Sequence, residues 1–292
     1  MKIIDHVVLD FDGTCTLVPE IEAPFLDEYF RLLRAEVLPM LSEERWNAQL
    51  QVLREASPHV GWMLFGAAPS APASADPYML AGEAATRLIA QLAPDRTLGG
   101  SFHHRAYDKA QAPFRPEVAR VLGELDALGL RITFVSNSSS AKINNRLDDL
   151  LAGERELRKR VRVESDAAKF SIREIAPEAS VSEQMRAAFA ELPAAETEPA
   201  IGRPIYLRRG RYFEALSKVL GPDPAALQRT IVCGDVWELD LAMPLALRCH
   251  VHLIARHGAH PTYAYERAHA ERQGGISDDL NGLLARVRSL VP

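Results

Sequence analysis

Val7-Val8-Leu9-Asp10-Phe11-Asp12-Gly13-Thr14 is the stretch on which the reading of the whole chain turns. Three apolar residues, two of them β-branched, run into a polar turn that contains glycine. A strand buried on both faces of a parallel sheet has this signature. Strand side chains alternate, so Asp10 and Asp12 point the same way at its carboxyl end. Gly13 permits a tight turn, and Thr14 can bond a neighbouring carboxylate or the backbone.

Moving outward, the period changes from about Ala23. Phe25, Tyr29, Leu33 and Val37 recur at helical spacing, as do Trp46, Leu50 and Leu53. A small-residue stretch with two prolines after Gly66 predicts a loop. Asp76 then reads as an N-cap, with Pro77 at the first helical position and Leu80, Ala84, Leu88 and Leu92 as the apolar stripe. Residues 15–112 are therefore expected to be helical, without a strand. The strand and helix rhythm resumes beyond them. A helix over Pro116 to Leu128 is followed by a strand over Ile132 to Val135, which ends in Ser136-Asn137-Ser138. Further strands are expected over Thr230 to Cys233, running into Gly234-Asp235, and over Val251 to Ile254, with a last helix through Leu280, Leu284 and Val287. Alternation of this kind predicts a Rossmann-like α/β core, a parallel sheet covered on both faces, with a helical domain inserted after the first strand. The core then comprises residues 1–14 and 113–292. Residues 152–207 lack a clear period and read either as a second small insertion or as strands extending the sheet.

The composition, 47% hydrophobic and 25% charged over 292 residues, is enough for a buried core without staples. A formal net charge of -5 argues against a nucleic-acid partner, which usually requires a dense basic face. Cys15, Cys233 and Cys249 are scattered and odd in number, so neither a disulfide framework nor a zinc site follows. The chain starts Met1-Lys2-Ile3-Ile4-Asp5, reaching an acid before any apolar run, which does not read as a signal peptide. No segment has the length and apolarity of a membrane span. A soluble cytoplasmic protein is expected.

Ligands of open parallel sheets bind at the carboxyl ends of the strands. Three such ends are polar here: Asp10 and Asp12, then Ser136 and Asn137, then Gly234-Asp235 through Asp240. Hydroxyl and amide groups at a helix start suit a phosphate oxygen. Converging carboxylates repel by about 4 kcal/mol per pair at about 4 Å and an effective dielectric near 20, so they call for a cation or a shared proton. Oxygen-only ligands favour Mg²⁺. Carboxylates, a metal and a phosphate cradle together describe a phosphoryl-transfer site.

These residues resemble the haloacid dehalogenase superfamily. Asp10-Phe11-Asp12-Gly13-Thr14 is similar to its first motif, Val135-Ser136-Asn137 to its second, and Gly234-Asp235 through Asp240 to its fourth, in the family's order and over nearly the whole chain. The resemblance implies a phosphatase in which Asp10 forms an aspartyl-phosphate and Asp12 protonates the leaving group, then activates water. It implies Mg²⁺ held by Asp10, Asp12 (through its backbone carbonyl) and Asp235, with Asp240 as a further or supporting carboxylate and Ser136 on the phosphoryl group. Members that dehalogenate carbon generally lack the second aspartate, so Asp12 favours a small phosphorylated metabolite as substrate. A phosphotransferase or phosphomutase of the same fold, or a regulatory protein that kept the fold, are the rivals. The family's third motif is a basic residue ahead of the helix before motif four, where this chain reads Leu207-Arg208-Arg209-Gly210. Arg208 or Arg209 stands in, or Lys169 does if the intervening segment folds back over the site. The helical block resembles a C1-type cap, which implies water exclusion and substrate selection.

Some side chains have a plainer reading beside a functional one. Trp62, Phe65 and Tyr107 could line a pocket but read better as core, and His103-His104-Arg105 as a solvated hinge. His257 and His260 suggest a metal pair but sit in a Gly- and Pro-punctuated loop without a carboxylate partner. Cys15 has no base beside it and reads as packing.

Overall fold

The computed structural model describes residues 3–63, 68–99 and 102–291, so Phe65 lies outside the described residues. The chain begins with β1 (His6–Leu9) and then turns helical: α1 (Glu22–Glu36), α2 (Glu43–Ala56), α3 (Pro77–Leu92) and α4 (Phe102–Lys109). It continues through α5 (Val118–Ala127), β2 (Arg131–Val135), α6 (Ser140–Leu150), α7 (Arg155–Arg160), β3 (Arg162–Glu164), α8 (Glu183–Ala190), β4 (Ala195–Glu198) and β5 (Arg203–Tyr206). It ends with α9 (Gly210–Leu220), α10 (Ala225–Gln228), β6 (Thr230–Gly234), a π-helical turn Trp237–Leu241, α11 (Ala242–Ala246), β7 (His250–Ile254), α12 (Ala264–Gln273), β8 (Ile276–Ser277) and α13 (Leu280–Leu290).

Six strands form one parallel sheet in the order β3-β2-β1-β6-β7-β8. Alternation sorts the strand residues between two apolar layers. Val8, Val135, Val232 and Leu253 pack on the face covered by α8, α9, α11 and α12. Val7, Leu9, Phe134, Ile231 and Cys233 pack on the face covered by α5, α6 and α13. The strand order reverses between β1 and β6, and the carboxyl ends flanking such a switch point are where an open α/β sheet leaves a crevice. Asp10 follows β1 and Asp235 follows β6.

The period-poor segment 152–207 does both of the things expected of it in the alternative. Its first strand, β3, extends the sheet beyond β2, while β4 and β5 form a separate antiparallel hairpin with Ala195 opposite Tyr206. The sequence reading has neither the two-residue β8 nor α12, in which only Tyr265, Glu266 and Ala270 are buried and no apolar stripe announces a helix.

The chain divides into two compact units. One comprises the residues up to Thr16, Phe114–Arg256 and Thr262 onward; the other is Leu17–Pro113 together with His257–Pro261. The second unit has its own core, in which Phe25, Tyr29, Leu33, Trp46, Leu80 and Leu88 are buried. Asp76 caps α3 by accepting a hydrogen bond from the Met79 amide at 2.6 Å, ahead of Pro77. Tyr107 packs edge-on against Tyr78 in this core, with centroids 4.9 Å apart. The loop His257–Pro261 was assigned to the sheet domain by the boundaries at 15 and 112, and the structure moves it. His260 is buried, its Nε2 3.1 Å from Glu22 Oε1 and its Nδ1 3.2 Å from Ser74 Oγ. His260 therefore does have a carboxylate partner, contrary to the sequence reading, because Glu22 is distant in sequence; Arg54 holds the same carboxylate at 2.8 Å. Among the described residues no helix is long and apolar enough to cross a membrane.

Two buried histidines give the sheet unit a pH-dependent stability. His6 Nε2 lies 2.9 Å from Thr133 Oγ1 and His252 Nε2 lies 2.8 Å from Ser277 Oγ. The Nδ1 of each has no hydrogen-bond partner among the described residues, so a second proton there would be buried unsatisfied. Burial, with Arg131 and Arg286 respectively adding to it, pushes each imidazole down to about 4. Above the unfolded value of 6.5 both rings are neutral whether folded or not. Between 6.5 and about 4 only the unfolded chain takes up the protons, so stability is lost as pH falls through that window. At about pH 5 the loss is about 2 kcal/mol per histidine. Urea denaturation at about pH 7 and about pH 5 should therefore show the wild type losing about 4 kcal/mol more than a His6→Gln, His252→Gln double variant. Equal losses would remove these rings from the account.

Candidate active site

The backbone first brings the strand ends together. The Asp10 amide donates to Cys233 O at 2.9 Å, continuing the β1–β6 ladder by one residue. Gly13 has φ +81, and a Cβ there would stand 2.4 Å from Asp235 Oδ2. A Cβ on Gly234 would stand 2.2 Å from that of Asp240. Glycine at position 13 lets the ends of β1 and β6 approach, and glycine at position 234 lets Asp240 fold back onto the end of its own strand. Thr14 Oγ1 lies 3.2 Å from Asp10 Oδ2 and 3.1 Å from Asp235 Oδ1, sharing one hydroxyl proton between two carboxylates.

The cation of the cluster is Lys169. Its Nζ donates to Asp10 Oδ1 at 2.6 Å and to Asp240 Oδ1 at 2.8 Å, and the side chain is 1% exposed. Burial alone would favour the neutral amine, but Asp10 and Asp240 outweigh it and hold Lys169 well above the usual lysine range. Burial conversely pushes the Asp10 carboxyl up to about 7, against the pull of Lys169 and with the Asp240 charge adding to the push. The loop that delivers Lys169 bends back through Asp166 and Ala168, which both take left-handed backbone conformations, φ 51 and φ 41.

Asn137, Arg208 and Arg209 occupy places other than those expected. Asn137 Oδ1 accepts from the Lys169 amide at 2.8 Å, so it fastens the lysine loop. Arg209 is fully buried and donates to the carbonyls of Lys169, at 2.6 Å, and Tyr206, at 3.1 Å. Arg208 donates to the carbonyls of Leu192 and Ala190 and pairs with Glu174 at 3.0 Å. Both arginines are thus committed to backbone carbonyls around the lysine loop and hairpin, and the basic group against Asp10 is Lys169. Ser136 is buried at the end of β2, where its Oγ accepts from the Ser138 amide at 3.1 Å.

Asp12 is held by two side chains that the motif reading did not single out. Ser138 Oγ donates to Asp12 Oδ2 at 2.7 Å, and Lys142 Nζ lies 3.9 Å from Asp12 Oδ1. Burial pushes the Lys142 ammonium down to about 8, against the pull of Asp12. Asp240 has both oxygens engaged, one by Lys169 and the other by the Val236 amide at 3.0 Å.

Below this turn lies a second charged layer. Glu238, fully buried, forms a bidentate pair with Arg203 on β5 at 2.6 and 2.7 Å and accepts from Tyr265 Oη at 2.6 Å. Glu266 accepts from the Trp237 amide at 3.0 Å and pairs with Arg256 at 2.5 Å; Arg256 also donates to the Asp235 carbonyl. The hairpin and α12 therefore clamp the π-helical turn that presents Asp235 and Asp240.

Asp10, Asp235 and Asp240 each offer an oxygen, and these atoms lie within 4.8 Å of one another. Three carboxylates against one ammonium hydrogen-bonded to two of them form an acidic set that suits a divalent cation. The donors are all carboxylate oxygens, a set that suits a hard ion. Asp10 and Asp235 share the Thr14 hydroxyl, whereas Asp240 is held by the Lys169 ammonium and the Val236 amide.

No family model matches the chain, and no curated protein matches it either. Solved structures do. A predicted phosphoglycolate phosphatase from Haemophilus somnus superposes with a TM-score of 0.50 at 14% identity, over 98% of this chain and 99% of its own. The chain shares the fold of that structure. A haloacid dehalogenase-like family hydrolase from Xanthomonas campestris aligns over 100% of this chain and 97% of its own, with 12% identity and a TM-score of 0.47. An L-2-haloacid dehalogenase aligns over 97% and 99%, with 13% identity and a TM-score of 0.43. In this fold Asp10, Asp235, Asp240 and Lys169 stand together at the β1–β6 switch point.

Proposed function

We propose that the protein is a Mg²⁺-dependent phosphohydrolase that cleaves a small phosphomonoester through an aspartyl-phosphate on Asp10. The observation that carries this reading is the second carboxylate, Asp12, held two residues beyond the nucleophile by Ser138 at 2.7 Å. Attack by Asp10 on phosphorus breaks the ester P–O bond, and the departing alkoxide takes its proton from Asp12. Asp12 then accepts a proton from water, whose oxygen attacks the same phosphorus and releases Asp10. Lys169 opposes protonation of Asp10 and orients it for the first step, and by the family resemblance Ser136 would donate to a phosphoryl oxygen. Mg²⁺, carried by Asp10 and Asp235, would neutralise charge on the transferring group. By the family resemblance the helical unit serves as the substrate-selecting cap.

Dehalogenation is the second reading, because solved structures with this fold include haloacid dehalogenases. A halide leaves as a stable anion and needs no proton, so Asp12 would have no task in that reaction. The test is product release from two panels, phosphomonoesters scored by free phosphate and 2-haloacids scored by free halide, each with Mg²⁺ and with EDTA. Phosphate release that EDTA abolishes is expected. Halide release without phosphate release would replace this reading by the second, and transfer of phosphate to an added alcohol in preference to water would make the enzyme a phosphotransferase.

A further inference from the structure

Resting on the phosphohydrolase reading, we infer that Ser138, assisted by Lys142, is the positioning residue for Asp12 and so governs how well the enzyme expels leaving groups that need a proton. The three residues after β2 are fixed independently of Asp12. Ser136 Oγ accepts from the Ser138 amide at 3.1 Å, Ser138 O accepts from the Asp166 amide at 3.4 Å, and Asn137 Oδ1 accepts from the Lys169 amide at 2.8 Å. Ser138 is thereby anchored through its backbone on both sides, and its hydroxyl projects to Asp12 Oδ2 at 2.7 Å. Asp12 is one-fifth exposed, whereas Asp10, Asp235 and Asp240 are buried. Lys142, in the first turn of α6, faces the other oxygen at 3.9 Å, beyond hydrogen-bond reach but within Coulomb range. One short segment thus sets both groups around the nucleophile: Asn137 fixes the Lys169 loop, and Ser138 fixes Asp12.

A general acid is useful only when aimed at the departing oxygen. An alkoxide cannot leave without that proton, while a p-nitrophenolate can. The discriminating quantity is kcat/KM, which covers steps up to leaving-group departure and excludes the later attack of water. Steady-state kinetics on p-nitrophenyl phosphate and on glycerol phosphate, with Mg²⁺, are compared for wild type, Ser138→Ala, Ser138→Thr and Lys142→Met. Ser138→Ala should lower kcat/KM for the alkyl ester by about 100-fold and for the aryl ester by much less, with Ser138→Thr restoring the alkyl value. Lys142→Met should shift the alkyl-to-aryl ratio in the same direction by a smaller factor. Equal losses on both esters, or an unchanged ratio in Ser138→Ala, overturn the inference while leaving the phosphohydrolase reading intact. A wild type that hydrolyses neither these esters nor any phosphomonoester overturns both.

Discussion

Asp10→Asn is expected to lower kcat for phosphate release by at least about 10⁴-fold, because it removes the atom that attacks phosphorus. The amide is nearly isosteric, so the loss reports chemistry and leaves the fold in place. Lys169→Met should approach the same loss for a different reason. The buried carboxylates would then lose the ammonium bonded to Asp10 and Asp240, and Asp10, already pushed up to about 7, would take up a proton and cease to be a nucleophile near neutral pH. The two residues act as one unit through the 2.6 Å bond between them, so the double variant should lose no more than Asp10→Asn alone. Single-turnover assays with ³²P-labelled substrate check this directly. Losses that multiply would mean that Lys169 and Asp10 work independently.

Glu238→Gln should lower the unfolding free energy of the sheet unit by about 3–5 kcal/mol, measured by urea denaturation in EDTA. Glu238 is fully buried and receives two bonds from Arg203 and one from Tyr265. Neutralising it strands the Arg203 guanidinium in the interior without a counterion, and desolvation is then uncompensated. Arg203→Met combined with Glu238→Leu should cost much less than either single change, since removing both charges removes the penalty. A cost near zero for Glu238→Gln would show that water reaches the pair. Because Asp240 lies two residues along the same turn, activity should fall with the single variant and recover in part with the double.

The carboxylates of the site were legible because each stands at the end of a strand whose apolar run is unmistakable: Val7-Val8-Leu9 before Asp10, and Ile231-Val232-Cys233 before Asp235. The basic residue was not singled out by the sequence. Lys169 reaches Asp10 because Asp166 and Ala168 adopt left-handed conformations without a glycine to mark the bend. Arg208 and Arg209 stand where the family motif expects a base, and the structure commits them to carbonyl groups instead. Ser138 and Lys142 carried no such signal, because Ser138 precedes the N-cap Ser139 of α6 and helical spacing does not relate the two. The Arg203–Glu238 pair carried none, since its members belong to different elements joined only by tertiary packing. Strand ends are local facts of a sequence, whereas partners of buried charges are facts of the assembled chain.

Seen as a question of inheritance, the loop His257–Pro261 makes the helical unit less portable than a single insertion would be. An insertion after β1 could be exchanged between relatives by two cuts. Here a recombinant that swaps residues 17–113 alone keeps His260 and loses both Glu22 and Ser74, the groups that solvate its ring. Such a hybrid would carry a buried imidazole without these two contacts, and chimeras should gain stability when 257–261 travels with the block. The transferable piece in this lineage is a pair of segments about 140 residues apart, and selection has to move or repair them together.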